Sequence, residues 1–174
     1  MTDPDNAHLP TDKTGPSRMP VRERVLLVAL ILVVAAGLLW GTARVTAVRL
    51  RAERLAQARV AAQAVDLDAV DSLTGSEADL GTADYSRLKT QLAGLRRASP
   101  WCHFLYLMGE RDGEIFFYVD SLAPSEEGYA PPGLTYDEAP DAVRRVFQTG
   151  KETFVWPVND RWGRWVSALI PLGE

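Results

Sequence analysis

Val25-Leu-Leu-Val-Ala-Leu-Ile-Leu-Val-Val-Ala-Ala-Gly-Leu-Leu-Trp-Gly-Thr-Ala43 carries no charge between Arg24 and Arg44. As a helix these residues span about 28 Å, close to the hydrocarbon thickness of a bilayer. In lipid only a helix satisfies every backbone donor and acceptor over such a run. Trp40 stands near one end, where an indole suits the membrane interface. A secretory signal needs a shorter apolar core and a small-x-small cleavage site. Leu39-Trp40-Gly41-Thr42-Ala43 is a poor one, and a polar tail of some two dozen residues precedes the run. A core helix, in turn, is rarely apolar on every face. The expectation is a transmembrane helix over 25–43.

Charge divides the chain around this helix. Residues 1–60 hold 9 Lys/Arg against 5 Asp/Glu, whereas residues 101–174 hold 6 against 12. The basic part flanks the membrane and the globular part is acidic, which argues against a nucleic-acid surface on the folded region. Lys13, Arg18, Arg22 and Arg24 precede the span, while Arg44, Arg49, Arg51, Arg54 and Arg59 follow it. Positive-inside counting is therefore nearly balanced and does not choose an orientation. Residues 1–24, with Pro4, Pro10, Gly15, Pro16 and Pro20, cannot form a core and are expected to be a disordered cytoplasmic tail. Cys102, the sole cysteine, excludes an intrachain disulfide and a Cys-rich metal site.

Beyond the span, residues 44–70 contain no Pro or Gly and are rich in helix formers, so the helix is expected to continue. Val45, Val48, Ala52, Leu55 and Ala62 fall near a 3-4 spacing, with Arg59 breaking the stripe. Two readings stay open: a solvated connector, or the seam of a homodimer packed through this juxtamembrane helix. Residues 71–81 read as a turn-rich linker. A second helix is predicted over 83–98, with Leu88, Leu92 and Leu95 on one face, Arg96 and Arg97 at its C-terminal end, and Ser99-Pro100 stopping it.

The texture then turns aromatic and β-branched. Strands are predicted over 101–108 and 114–120, joined by a turn over 109–113 that holds an Asp-Gly pair. Both are nearly continuous apolar runs, as expected of strands covered on two faces. Residues 121–135 form a long loop with Pro124, Gly128, Pro131, Pro132 and Gly133. A short helix over 140–148 follows, with Gly150 past its end. Two further strands, 153–158 and 164–171, flank a turn over 159–163, and Pro157 marks an edge or bulge. The predicted class is α+β, one antiparallel sheet packed on a long N-terminal helix.

No nucleophile–base pair, phosphate loop or metal-ligand cluster is present in the pattern. His8 lies in the tail, His103 in a strand, and Cys102 reads as a packing residue. An enzyme is not expected, nor any cofactor. The chemistry on offer is recognition. Aromatic walls with a few polar groups are what a small-molecule site needs. Tyr106 and Tyr118 lie on the first two strands. Asp120 and Ser121 end the second, Tyr129 sits in the long loop, and Trp156, Asp160, Trp162 and Trp165 surround the second hairpin. A rim Asp would suit an amine or other cation, helped by Trp. The same residues also read as core aromatics beside a solvated Asp.

Phe104-Leu-Tyr-Leu-Met108, the run from Asp112 to Ser121, Tyr129-Ala-Pro-Pro-Gly133, Val146-Phe-Gln-Thr-Gly150 and the run from Asp160 to Pro171 resemble, as an ordered set, the Cache/PDC-like sensor domains of bacterial transmembrane receptors. These are distant relatives of PAS domains, found in sensor histidine kinases and diguanylate cyclases. The resemblance covers about residues 44–171. It implies a PAS/Cache-like sheet with short helices over 71–174, an N-terminus in the cytoplasm, one span in the cell's inner membrane and an extracytoplasmic sensor. It also implies a small ligand, of unknown identity, held between the sheet and the loops that follow its central strands. Such receptors carry a second span and an output module. The run after Pro171 holds neither, so a receptor fragment, or a receptor without its output half, is expected.

Overall fold

The computed structural model describes residues 20–173. Most of the proposed tail, residues 1–19, lies outside the described residues, as does Glu174. The chain divides into two compact units, Met1–Ala47 and Val48–Glu174.

In the first unit the apolar run is helical, within α1 (Val21–Gln63). Residues 21–24, expected in the tail, form its first turn instead. Pro20 offers its carbonyl to the Glu23 and Arg24 amides at 3.0 and 3.2 Å, and a proline with fixed φ starts a helix readily. The apolar window of α1 is long enough to cross a membrane, and none of it is buried.

The second unit begins with the rest of α1. The juxtamembrane helix expected through residue 70 stops at Gln63 and restarts as α2 (Leu67–Asp71). Asp66 causes the restart. It holds an extended backbone conformation, and its carboxylate accepts the Ala69 amide at 3.3 Å, an N-cap that competes with continuing the helix. Leu55 and Ala62 of the proposed stripe are partly covered by the chain's own fold, while Val45 and Val48 stay 53% and 67% exposed.

The expected linker is ordered by Asp79. A 3₁₀ turn, Glu77–Gly81, carries a capping box between Ser76 and Asp79. One oxygen of the buried Asp79 carboxylate accepts the Thr74 amide (2.9 Å) and hydroxyl (2.8 Å). The other accepts the amides of Gly75 (2.8 Å) and Ser76 (3.2 Å). Burial pushes its pKa up, but the bonds from Thr74, Ser76 and Gly75 outweigh burial, and the net shift is downward. A depressed folded pKa means stability that is present above the unfolded carboxylate range near 4 and lost as pH falls through the folded value. Asp79→Asn should therefore lower the urea midpoint at pH 7 and flatten its fall between about pH 4 and 2. An unchanged acid limb in the variant would remove Asp79 as its source.

Thr82 caps α3 (Ala83–Ala98), whose Tyr85, Leu88 and Leu92 are buried against Val65, Ala69, Leu73, Leu107 and Val119. β1 (Tyr106–Arg111) and β2 (Glu114–Asp120) form an antiparallel hairpin. Its turn is only Asp112-Gly113, both at positive φ (52° and 82°), the geometry of a tight two-residue hairpin. The strand therefore runs to Arg111, not to residue 108 as expected, and residues 101–105 are irregular. Gly109 is required by its neighbours, because a Cβ there would overlap the Tyr118 and Phe116 rings. Ile115, Phe117, Tyr136 and Val143 form the second buried cluster. Val143 comes from α4 (Asp141–Thr149), which ends at Gly150 in the left-handed conformation. β3 (Thr153–Asp160) and β4 (Gly163–Leu169) form the second hairpin, with a bulge around Trp156-Pro157.

The α+β class holds, but the single sheet does not. The described residues form two separate two-stranded sheets. The outer edge of β2 is taken by the long loop: Gly133 donates to the Phe117 carbonyl (2.8 Å), Phe117 to Leu134 (3.1 Å) and Tyr136 to Ile115 (2.8 Å). The second hairpin meets the first through side chains. Tyr106, Trp162 and Leu169 pack on the Ile115–Phe117 cluster, and bulky rings set the spacing.

Candidate functional site

A groove of about 1090 Å³ opens beside β1, β4 and the start of α4. Its floor is aromatic. Phe117, 2% exposed, touches the Tyr106 ring edge-on at 5.1 Å and the Trp162 ring at 5.6 Å, and Tyr136 meets Trp162 at 5.6 Å. Further along, Trp165 stacks on His103 at 5.2 Å and meets Phe104 at 4.6 Å. Trp101 and Arg54 stand at the rim, with the guanidinium 5.5 Å from the indole centroid.

The nine proposed site residues divide. Tyr106, Asp120, Asp160, Trp162 and Trp165 line the groove. Tyr118 also contributes to the lining, but its ring packs on Phe116 at 4.9 Å, and it stands on the face of β2 opposite Phe117. Ser121 is buried at the end of β2 and its hydroxyl has no partner among the described residues. Tyr129 turns toward α3, where its hydroxyl meets that of Tyr85 (3.3 Å) and its ring lies 4.7 Å from the Lys89 ammonium. Trp156 is 56% exposed and packs edge-on against Phe154, outside the groove lining, because the β3 bulge turns it outward.

Both carboxylates are committed to the chain itself. Asp120, 1% exposed, accepts the Leu122 and Ala130 amides, each at 2.9 Å. Burial pushes its pKa up, against the pull of those amides and of Lys89. Lys89 does not reach the carboxylate. It donates to the Asp120 and Leu122 carbonyls at 2.9 and 2.6 Å, and burial pushes its own pKa down. Asp160 accepts the Tyr136 hydroxyl (2.8 Å) and the Trp162 amide (2.9 Å). Burial raises Tyr136 above its usual range, with the Asp160 bond adding to it. Burial also pushes Tyr106 up to about 12, with Asp160 adding and Ser167 opposing. Neither Asp is therefore the free rim carboxylate that an amine would need.

Several donors of the groove carry no carboxylate partner among the described residues. The Trp165 indole N–H is buried without a partner among the described residues. Arg164 lines the groove with no ion pair among the described residues, and Arg54, which donates to the Gln57 side-chain oxygen at 3.1 Å, has no carboxylate partner among them either. His103, Phe104, Phe117 and Tyr136 belong to the site but stood outside the sequence-based set. Phe117 and Phe104 carried a signal in the strand pattern. Tyr136, in a loop after a Pro-Pro-Gly turn, carried none beyond being an aromatic where a solvated loop would not place one. No group of three His, Cys, Asp or Glu capable of holding a metal exists among the described residues.

Compared with protein-family models, curated proteins and solved structures, the chain gives no match.

Proposed function

We propose that the chain is a single-pass, membrane-anchored recognition module, the extracytoplasmic sensor part of a bacterial signal-transduction receptor. The observation that carries this reading is the aromatic groove of about 1090 Å³ in a domain that follows an unburied apolar helix. The ordered resemblance to Cache/PDC-like sensors supplies the direction. Residues 25–43 of α1 lie in the inner membrane, residues 1–24 on the cytoplasmic side and the Val48–Glu174 unit outside. A ligand shifts the population of two arrangements of the juxtamembrane helices in a homodimer. Val45 and Val48, exposed on one side of α1, supply the apolar contact for that pair.

The test has two arms. Purified full-length chain in detergent is screened by thermal shift against amino acids, amines and organic acids. A ligand at one hundred times its Kd stabilises by about 2.7 kcal/mol, a rise of several degrees in Tm. Binding is expected for an acceptor-bearing ligand, because the Trp165 indole N–H and the Arg54 and Arg164 guanidinium groups face the groove without a carboxylate partner among the described residues. Separately, a cysteine placed at Ser125 in a Cys102→Ser background should react with a membrane-impermeant maleimide in intact spheroplasts. Protection there until the membrane is broken would reverse the orientation and reject the sensor reading.

A further inference from the structure

We propose that the groove is a strand-addition site taking an extended acidic peptide from a partner protein, so that the ligand of the recognition module, on the reading above, is a polypeptide main chain. The premise is hydrogen-bond alternation. Just before β1 the Leu105 carbonyl accepts the Ser121 amide at 2.9 Å, and alternation then turns the main-chain groups of Tyr106 away from β2. Beyond the bulge at Leu107/Met108, the tight turn at Arg111↔Glu114 turns those of Met108 outward as well. The same alternation puts Ile115 and Phe117 on the outer edge of β2, where both do pair with the loop. In β4 the turn at Asp160↔Gly163 leaves Arg164, Val166 and Ala168 facing away from β3.

None of Tyr106, Met108, Arg164, Val166 or Ala168 has a main-chain partner outside its hairpin among the described residues. Tyr106, Met108, Arg164, Val166 and Ala168 all line the one groove. Two unpaired edges on a single cleft are a template for an added strand, and of these five positions only Arg164 carries a charge of the kind that blunts an edge. Size agrees. At about 1090 Å³ the cleft sits at the upper end of the roughly 300–1,000 Å³ of ligand pockets, room enough for a short extended segment. Charge names the peptide's character. Of the four charged residues in the lining, Asp120 and Asp160 are bonded within the chain, and Arg54 and Arg164 are left without a carboxylate.

The full chain in detergent micelles is mixed with an acetylated, amidated eight-residue peptide alternating valine with threonine and glutamate. Hydrogen exchange is then read at single amides. Tyr106, Met108, Val166 and Ala168 should exchange fast without peptide and about tenfold more slowly with it. N-methylation of alternate peptide amides should abolish the slowing, since it removes the main-chain donors and keeps the side chains. Lysine in place of glutamate, or Arg54→Gln with Arg164→Gln, should weaken binding. Slow exchange without peptide would mean that the edges are already paired. Protection that grows with protein concentration alone would assign the cleft to a second copy. Either result overturns the proposal, as does silence at about 1 mM peptide or equal protection by the N-methylated peptide. Small molecules that raise Tm while peptides stay silent would overturn only this inference and leave the recognition module standing.

Discussion

Phe117→Ala should cost the Val48–Glu174 unit about 3–5 kcal/mol, the usual range for emptying a buried Phe site. Phe117 is 2% exposed and stands where the two hairpins meet, with the rings of Tyr106, Tyr136 and Trp162 all within 6 Å. Removing it leaves a void that those rings cannot fill, because Tyr136 is tied to Asp160 and Trp162 donates its amide to the same carboxylate. Against a total of roughly 5–15 kcal/mol this is a large share. The expected fall in Tm is roughly 10–20 °C for a unit of this size. Phe147→Ala, at a side chain 36% exposed, is the comparison and should shift Tm by a few degrees at most. Equal losses at the two positions would mean that the hairpins are not joined through Phe117.

The physical reasons for Phe117's role also mark what the sequence could tell. α3 was legible because its signals are local: a leucine stripe, two arginines at the C-terminal end and a Ser-Pro stop, and the helix spans the residues expected. β2 was legible for the same reason, since Ile115 to Val119 is an unbroken β-forming run. The end of β1 was misread because Asp-Gly can close a turn of two residues or sit in a longer one. Only the backbone, with both residues at positive φ, decides between them. The interruption of the long helix at residues 64–66 turned on one competition, the Asp66 carboxylate against the next helical hydrogen bond.

The organisation of strands into two sheets was not legible at all. Hairpin pairing is written in adjacent residues, but whether one hairpin joins another through main chain or side chain depends on long-range packing. Here residues 133–136, read as loop, occupy the edge of β2. The site suffered most from this. Asp120 and Asp160 were singled out as polar groups near aromatics, which is correct as placement. Their partners, the Ala130 amide ten residues on and the Tyr136 hydroxyl twenty-four residues back, consume the charge that a ligand was expected to use. A carboxylate's position can be read from a pattern. Its remaining hydrogen-bonding capacity cannot.

The second large effect concerns the anchor. Leu30→Arg with Val34→Arg should release the chain from carbonate-washed membranes. The two side chains are 59% and 52% exposed, one turn apart on α1, and none of the apolar window is buried within the chain. Arginine is as good a helix former as leucine, so the helix itself survives. No packing is lost, and the whole effect is transfer of charge into hydrocarbon. Each Arg near the centre of a span costs about 2.5–3.5 kcal/mol on the insertion scale, and each replaced apolar side chain forfeits a further few tenths. The pair thus removes roughly 6 kcal/mol or more, enough to invert the partition of a 19-residue run. N-terminal sequencing of the unaltered chain separates the rival. A spanning helix leaves the N-terminus as synthesised, whereas a cleaved signal leaves a chain beginning near Arg44. A double-arginine chain that stays in the washed membrane would mean that something other than α1 holds it there.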